Sequence, residues 1–547
     1  MNPKKMANFA LKIQVWVLYN EIIPRGKGKQ KNKEDYMKRE QVKRWLAAAL
    51  TFTMTAGMLA GCGNTIAEES KSEEKTENTQ KASETAETSG EMTDEAQASN
   101  GEVPTLVWWT TGGTPPADFD EAVEKISDYT EEKIGVRLQV KIAGWADYGT
   151  KMNNIVNTGE YFDIMFVNNT NYNKFVNLNA LEDITDLVKT ETPELYDFIP
   201  EELWKGVEMD GSIYAVPTYK DSSKTQFWLI DDQYVQKYDI DMDSLSDFAS
   251  LDPVIRKMKE GEGNSFYPVQ MYRGGWSCLF NNYDGLTAGV PPIGVRIDDE
   301  SRTVVCTLEQ EDIQEEFNYL HSWFKDGLIN PDANVLTESL TGLPITLAQG
   351  WSASVTQYET KNGVEKYDMV KFFGPHYSTE TIQGSLNAIS SNSKYKKEAL
   401  KLLQLMNTDS KLRDMCAYGT EGNFMKYEED GTITRLRDDW TWPSYTEGTF
   451  FILSTVSGGD PDEWNQVKEQ NESATPSTCL GFSLNIADIQ NELSNCTTVW
   501  EKYKYDLVTG AADPETVLPQ CIEELKAAGM DVIIEEAQRQ IDEYFAE

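Results

Sequence analysis

The sequence predicts an α/β protein built as two lobes, and three observations carry that prediction. Residues 103 to 167 alternate strand, helix, strand, helix, strand, a pattern that implies a mostly parallel sheet covered by helices. Strand-like runs recur at 211–217, 226–230 and 384–391, with helical stretches between them. The body from 103 to 547 holds about 445 residues, whereas a single core rarely grows past about 250–300.

The elements follow in order. Val103 to Trp109 is an apolar opening strand, and Thr110 to Pro116 (TTGGTPP) is a turn-rich loop. Phe119, Val123, Ile126 and Ile134 recur at helical spacing. Val136 to Ile142 alternates as a strand does, Tyr148 to Val156 is helical with Gly159 to close it, and Tyr161 to Val167 is a third strand. In open sheets of this kind ligands sit outside the carboxyl ends of strands, here near Trp108-Trp109 and Asn168-Asn169. Further on, helices are expected at 311–324, closed by Asp326-Gly327, and at 398–406 and 412–418. Two more fill 514–545, broken at Gly529, the second with Ile533, Ala537, Ile541 and Tyr544 on one core-facing stripe.

The N-terminal region reads as an export signal. Lys38, Arg39, Lys43 and Arg44 precede an apolar run from Trp45 to Met58 and then Leu59-Ala60-Gly61-Cys62. About 14 apolar residues fall short of the roughly 20 that a spanning helix needs, but suit a signal peptide. This segment ends in a bacterial lipobox, so cleavage before Cys62 and lipidation of its thiol are expected. Met37 sits where an n-region should begin, so 1–36 is read as an upstream over-extension and 37–61 as the signal peptide. Residues 62–102 are rich in Glu, Ser, Thr, Lys and Ala, with no aromatic residue and no Val, Ile or Leu between Ile66 and Val103. Such a stretch cannot offset its ordering entropy and is expected to be a disordered acidic linker.

Composition excludes several classes. Ninety acidic against 50 basic residues give a formal charge of −40, which argues against nucleic acid and against a basic contact with anionic lipid. A diacylglyceryl group on Cys62 would anchor the protein firmly instead. Only His321 and His376 occur in the chain, so serine-hydrolase triads and zinc sites with several His ligands are poorly supplied. The Asp239-x-Asp241-x-Asp243 run places Ser244 and Ser250 where a calcium loop needs Gly and Glu. No metal, cofactor or catalytic residue is called for. Beyond Cys62, the six cysteines 278, 306, 416, 479, 496 and 521 form no C-x-x-C pair. An exported protein admits disulfides, but a core this large does not need them, and mostly free, buried thiols are expected.

Several segments, in this order, resemble the extracellular solute-binding proteins of ABC sugar importers, more narrowly the large lipoprotein branch of Gram-positive bacteria often named LplA-like. They are the lipobox, the strand at 105–109, Gly-Glu-x-x-Asp-Ile at 159–164, Asp-Gly-Ser-Ile-Tyr-Ala-Val-Pro at 210–217 and Trp-Phe-x-Asp-Gly-Leu-Ile-Asn-Pro at 323–331. Asn-Ala-Ile-Ser-Ser at 387–391, Thr-Asp at 408–409, Tyr-Gly-Thr-Glu-Gly at 418–422 and Ala-Ala-Gly-Met-Asp at 527–531 continue the series. The resemblance implies a type II periplasmic-binding-protein-like fold, each lobe a mostly parallel sheet flanked by helices, joined by a hinge. It implies crossings near 217–221 and just before Gly384. That places the N-terminal lobe at 103–218 plus about 383–425 and the C-terminal lobe at 219–382 plus about 426–547. The function it implies is capture of a carbohydrate, an oligosaccharide by the number of aromatic loops, through lobe closure, with delivery to permease subunits by a monomer on the outer face of the cytoplasmic membrane.

A sugar offers apolar C–H faces to aromatic rings and a rim of hydroxyls to amides, carboxylates and cations. Candidate ligand residues therefore lie on loops at strand ends: Trp109, Asn168, Asn169, and Tyr219-Lys220-Asp221 after Pro217. Arg273 and Trp276 stand in a polar loop with Gly274 and Gly275, read as backbone that a ligand approaches closely. Trp351, Glu421 and Trp442, the last in a loop with Trp440 and Tyr445, complete the set. A lone Trp is more often core than platform, so Trp204, Trp228, Trp323, Trp464 and Trp500, within periodic segments, are assigned to the core, and Asp163 to a structural role. Two other functions are compatible with the sequence: a surface glycoside hydrolase, which needs only a carboxylate pair about 5–10 Å apart, and a ligand-sensing lipoprotein without transport.

Overall fold

The computed structural model describes residues 103–290, 292–338 and 340–546. The readings on 1–102 (upstream extension, signal peptide, lipidated Cys62 and acidic linker) lie outside the described residues.

The opening pattern folds as its periodicity dictates. β1 (Thr105–Thr111), α1 (Phe119–Ile134), β2 (Arg137–Ala143), α2 (Trp145–Thr158) and β3 (Ile164–Val167) follow one another. α1 buries Phe119, Ala122, Val123 and Ile126 and is stopped by Gly135 in the left-handed region at φ 72°, its N–H donating to Glu131 O. Asp120 and Glu121 in its first turn and Lys133 in its last match the helix dipole. β1 pairs in parallel with β2 from Thr105↔Arg137 to Thr111↔Ala143, and with β3 at Trp108↔Ile164.

Two later strands complete this sheet. β4 (Ala215–Pro217) and β8 (Leu386–Ile389) are introduced by their place in the chain, with β5 (Lys224–Asp231), β6 (Ile345–Gln349) and β7 (Tyr367–Tyr377) between them. The five-stranded order is β2-β1-β3-β8-β4, with β8 antiparallel to both neighbours. Asp163 ties the sheet to the chain beyond β8: its carboxylate accepts from Val107 N (2.8 Å), Tyr161 OH (2.6 Å) and Ser393 Oγ (2.6 Å). That is the structural role expected for it.

The second lobe departs from the mostly parallel sheet expected of it. Its order is β6-β5-β7-β9, where β9 is Thr475–Pro476, and β5 is antiparallel to both β6 and β7. The reason lies in the crossings. β5 starts directly after one crossing at 218–223 and β7 ends directly before the return at 378–385, so both chain ends sit at one edge, with His376 opposite Lys224. Two strands pinned that way must run in opposite directions.

Each sheet has its own hydrophobic core. One gathers Leu106, Trp108, Ile126, Phe166, Phe175 and Leu403 around the five-stranded sheet. The other gathers Trp228, Ile255, Phe317, Trp323, Trp500 and Ile533, drawing on α3 (Asp232–Tyr238), α4 (Phe248–Glu262), α5 (Glu311–Lys325) and the helices Gln490–Val508, Pro514–Ala528 and Met530–Tyr544. Trp442 corrects the assignment of 426–547 to the second lobe. It is 1% exposed in the first core, edge-on to Trp108 with ring centroids 5.2 Å apart. Gly112 explains the approach: a Cβ there would collide with the Thr441 carbonyl. All six described cysteines are free and buried, as expected.

Candidate functional site

The carboxyl ends of β1, β2, β3 and β4 lie along one edge of the first sheet, because β1 is parallel to β2 and β3, and β8 runs antiparallel to both β3 and β4. Trp145 is the residue this edge displays. It opens α2 one residue after Gly144, is 51% exposed, and stacks on Tyr445 with centroids 6.3 Å apart and planes 12° from parallel. Trp145 Nε1 donates to Tyr445 OH over 2.7 Å. Phe166 supports the same indole edge-on at 6.0 Å.

Tyr445 owes its position to a buried network. Ser385 Oγ donates to Tyr445 O (2.6 Å), Asn387 Nδ2 to Thr446 O (3.0 Å), and Thr110 Oγ1 to Thr446 Oγ1 (3.1 Å). Behind them Arg413 pairs with Glu447, both side chains having no exposed surface. Its guanidinium also donates to Thr449 O (2.8 Å) and Ser444 O (2.6 Å). Burial raises the Glu447 carboxyl above its ordinary range against the pull of Arg413. The loop is therefore a rigid mount for half-buried Tyr445 and, through it, for the exposed Trp145.

Asn168 and Asn169 follow β3 on the same edge, as expected. The Asn168 carboxamide oxygen is engaged by Thr170 N and Oγ1, forming the turn itself. Asn169 Nδ2 donates to Glu380 Oε1 (2.9 Å) on the return crossing, and Asn173 Nδ2 to Thr287 Oγ1 (3.1 Å) of the second lobe. Facing that edge, the second lobe presents Lys224 at the start of β5. Burial holds its ammonium below the ordinary lysine range, and Glu380 is its countercharge. His376, opposite Lys224, is 5% exposed with Nε2 unpaired, and burial with the Lys224 charge lowers it to about 4.

Lys220 and Asp221 sit in the first crossing, paired with each other at 2.7 Å. Asn471, a residue no sequence signal marked, holds that crossing. Buried to 3%, it accepts from Ser223 N (3.1 Å) and Ser223 Oγ (3.0 Å) and donates to Lys220 O.

The remaining candidates are placed elsewhere. Trp109 is 5% exposed, its ring covered by Lys141 and Lys151 ammonium groups at 5.1 and 4.4 Å. Tyr219 is packed against Phe451 and Phe198. Trp276 is buried against Trp228, Phe248 and Trp323. Trp351 packs on Phe450 and Trp464 and donates to Glu463 Oε1 over 2.7 Å. These rings have no face left for a ligand. Arg273 lies over the Tyr505 ring at 4.9 Å, and Gly275 is required by φ 65° and by the Val508 carbonyl that a Cβ would meet at 2.6 Å. The glycine signature in that loop reports chain packing rather than ligand approach. Glu421 is exposed on the turn after helix Ser410–Tyr418, bridged at its backbone to Met425. Trp145, absent from the residues that the sequence marks for the ligand, has one legible signal: it directly follows the end of a strand in Ala143-Gly144-Trp145.

A two-lobe α/β body with open strand ends facing a second lobe is the architecture of a binding protein. A family model described as bacterial extracellular solute-binding protein matches residues 124–427, more than half of the chain, and the chain belongs to that family. A second model, described only as a domain of unknown function, matches residues 478–546. A carbohydrate ABC transporter substrate-binding protein of Streptococcus pneumoniae serotype 4 is 25% identical over 516 residues, 92% of this chain and 98% of its own. The crystal structure of NgtS, an N-glycan transport solute-binding protein of Streptococcus pneumoniae, is similar with a TM-score of 0.74 at 24% identity, covering 81% of this chain and 99% of that one. An HMO-binding, ABC-transporter-associated solute-binding protein of Bifidobacterium longum infantis is similar at a TM-score of 0.55 and 16% identity, over 81% of this chain and 99% of that one.

Proposed function

We propose that this protein captures an oligosaccharide outside the cell, between its lobes, and delivers it to an ABC permease while tethered by a lipid on Cys62. The observation that carries the carbohydrate reading is the half-exposed Trp145, stacked on Tyr445 at the strand-end rim. An indole face displayed to water at a rim that also carries amide and charged groups is complementary to a sugar's C–H face and its hydroxyls. Asn169, Glu380 and Lys224 are the groups assigned to those hydroxyls. The similarity to a carbohydrate substrate-binding protein over nearly the whole chain supports the same reading, as does the NgtS complex with Man5GlcNAc, 25% identical, with a TM-score of 0.65 over 81% of this chain and 98% of that one.

Ligand bridging the lobes favours the closed form, and the crossings at 218–223 and 378–385 act as the hinge. The first lobe is assigned 103–218 and 383–425, with the Trp440–Thr449 loop added on the strength of Trp442. A thermal-shift screen of the purified protein over N-glycan fragments, plant oligosaccharides and a peptide panel tests the proposal, because a ligand of the folded state raises its stability. A shift with peptides and with no glycan sinks it.

A further inference from the structure

A cavity of about 240 Å3 lies in the second lobe and shares no residue with the rim of the first. Five aromatic side chains line it: Trp228 from β5, Phe372 and Phe373 from β7, Phe248 from α4 and Tyr319 from α5. Trp228 is fully buried and held flat against Phe372, centroids 4.2 Å apart and planes 17° from parallel. Three residues of the lining contribute fully buried polar atoms with no hydrogen-bond partner among the described residues: Trp228 Nε1, Asn281 Oδ1 and Glu316 Oε2. Asn281 is oriented through its other end, Nδ2 donating to Gln226 Oε1 over 2.6 Å. Asp247, Asp312 and Glu315 complete the lining, Asp247 and Glu315 at the exposed mouth.

These features select a guest by chemistry. An anion is opposed by the carboxylates at the mouth. A hydrocarbon leaves the Glu316 carboxyl unmatched among aromatic rings. An organic cation gains from several ring faces at once and from a carboxylate at hydrogen-bond range. Its N–H groups donate to the Glu316 carboxyl, a residue of the lining that is partly exposed. We propose that this cavity binds a small organic ammonium ion, held between the aromatic rings and Glu316.

The proposal carries a pH signature. Burial pushes the Glu316 carboxyl up to about 8, with Asp312 and Glu315 on its own helix adding to the effect. The other charged and titratable groups around it are Asp247, which caps the start of α4, Tyr319 and the Cys278 thiol, which burial pushes up. The Lys224 charge acts on Cys278 as well, and Arg296 pairs with Asp312 at 2.9 Å. Below that value the acid must release its proton to solvent when the ammonium arrives. Affinity then rises about tenfold per pH unit until the carboxyl is ionised in the empty protein.

Calorimetric titration of the full-length protein with ethanolamine, near pH 6 and near pH 8.5, tests this, with ethylene glycol as the neutral counterpart. The expected result is ethanolamine binding at least about tenfold tighter at the higher pH, proton release seen as a buffer-dependent heat, and no comparable binding of ethylene glycol. Glu316→Gln keeps the shape and should abolish the ethanolamine signal. No binding at the higher pH, equal affinity at both, or ethylene glycol binding as tightly overturns the proposal. Should the variant fail to fold, the wild-type pH and buffer dependence decides alone. Glycan binding at the rim is a separate readout and is expected to be indifferent to ethanolamine.

Discussion

Trp145 and Tyr445, 300 positions apart in sequence, share a hydrogen bond of 2.7 Å and a stacked face. One ring comes from the end of β2 and the other from a loop locked by Arg413 and Glu447, so the exposed indole is held at a fixed angle. If this is the sugar platform, Trp145→Ala lowers glycan affinity about tenfold or more, while stability changes by less than about 1 kcal/mol, since half of the ring already faces water. Tyr445→Phe removes only the hydrogen bond and costs a few-fold. Calorimetry with the glycan found by thermal shift, beside urea denaturation, separates the two effects.

The Arg413–Glu447 pair is completely buried. Arg413→Met leaves a carboxylate in a dry core together with the carbonyls of Ser444 and Thr449, and is expected to destabilise the protein by about 3–5 kcal/mol. The double variant Arg413→Met, Glu447→Leu should recover much of that loss, because no uncompensated charge remains. Denaturation midpoints of the two variants check this.

Asn471 satisfies both a donor and an acceptor of the first crossing. Asn471→Ala orphans Ser223 N, leaves Lys220 O with only its Ser222 contacts, and is expected to cost about 1–3 kcal/mol. A crossing that has lost its clamp also loses a preferred lobe angle. The variant should show a broader distribution of inter-lobe distances by spin-label spectroscopy and weaker glycan binding, with the rim residues untouched.

His376 sets a pH dependence. Its folded value of about 4 lies below the unfolded value near 6.5. The unfolded chain therefore binds a proton that the native one refuses. The contribution is full above about pH 6.5 and declines as pH falls towards 4. Between pH 7 and 4.5 the wild type should lose about 2–3 kcal/mol more than His376→Gln does, measured as the difference of two urea titrations. Equal losses in the two proteins would place the acid sensitivity in the carboxylates instead.

Local pattern alone determined much of this protein. The βαβαβ opening, the Gly135 and Gly159 stops, the helix at 311–325 and the pair broken at Gly529 all follow from apolar period and backbone freedom, properties of neighbouring residues. The free cysteines followed from core size. Only the tertiary structure decided which aromatic residues face water. Trp109, Trp276, Trp351 and Trp442 resemble Trp145 in any sequence window, and each is covered by side chains remote in the chain: Lys151, Trp323, Trp464 and Trp108. The direction of the second sheet was likewise set by where two crossings meet, with Lys224 opposite His376, and Asn471 reaches its crossing across about 250 residues. Burial is a property of the assembled fold, since a ring is exposed or hidden according to what long-range contacts bring onto its face, and no local spacing encodes that.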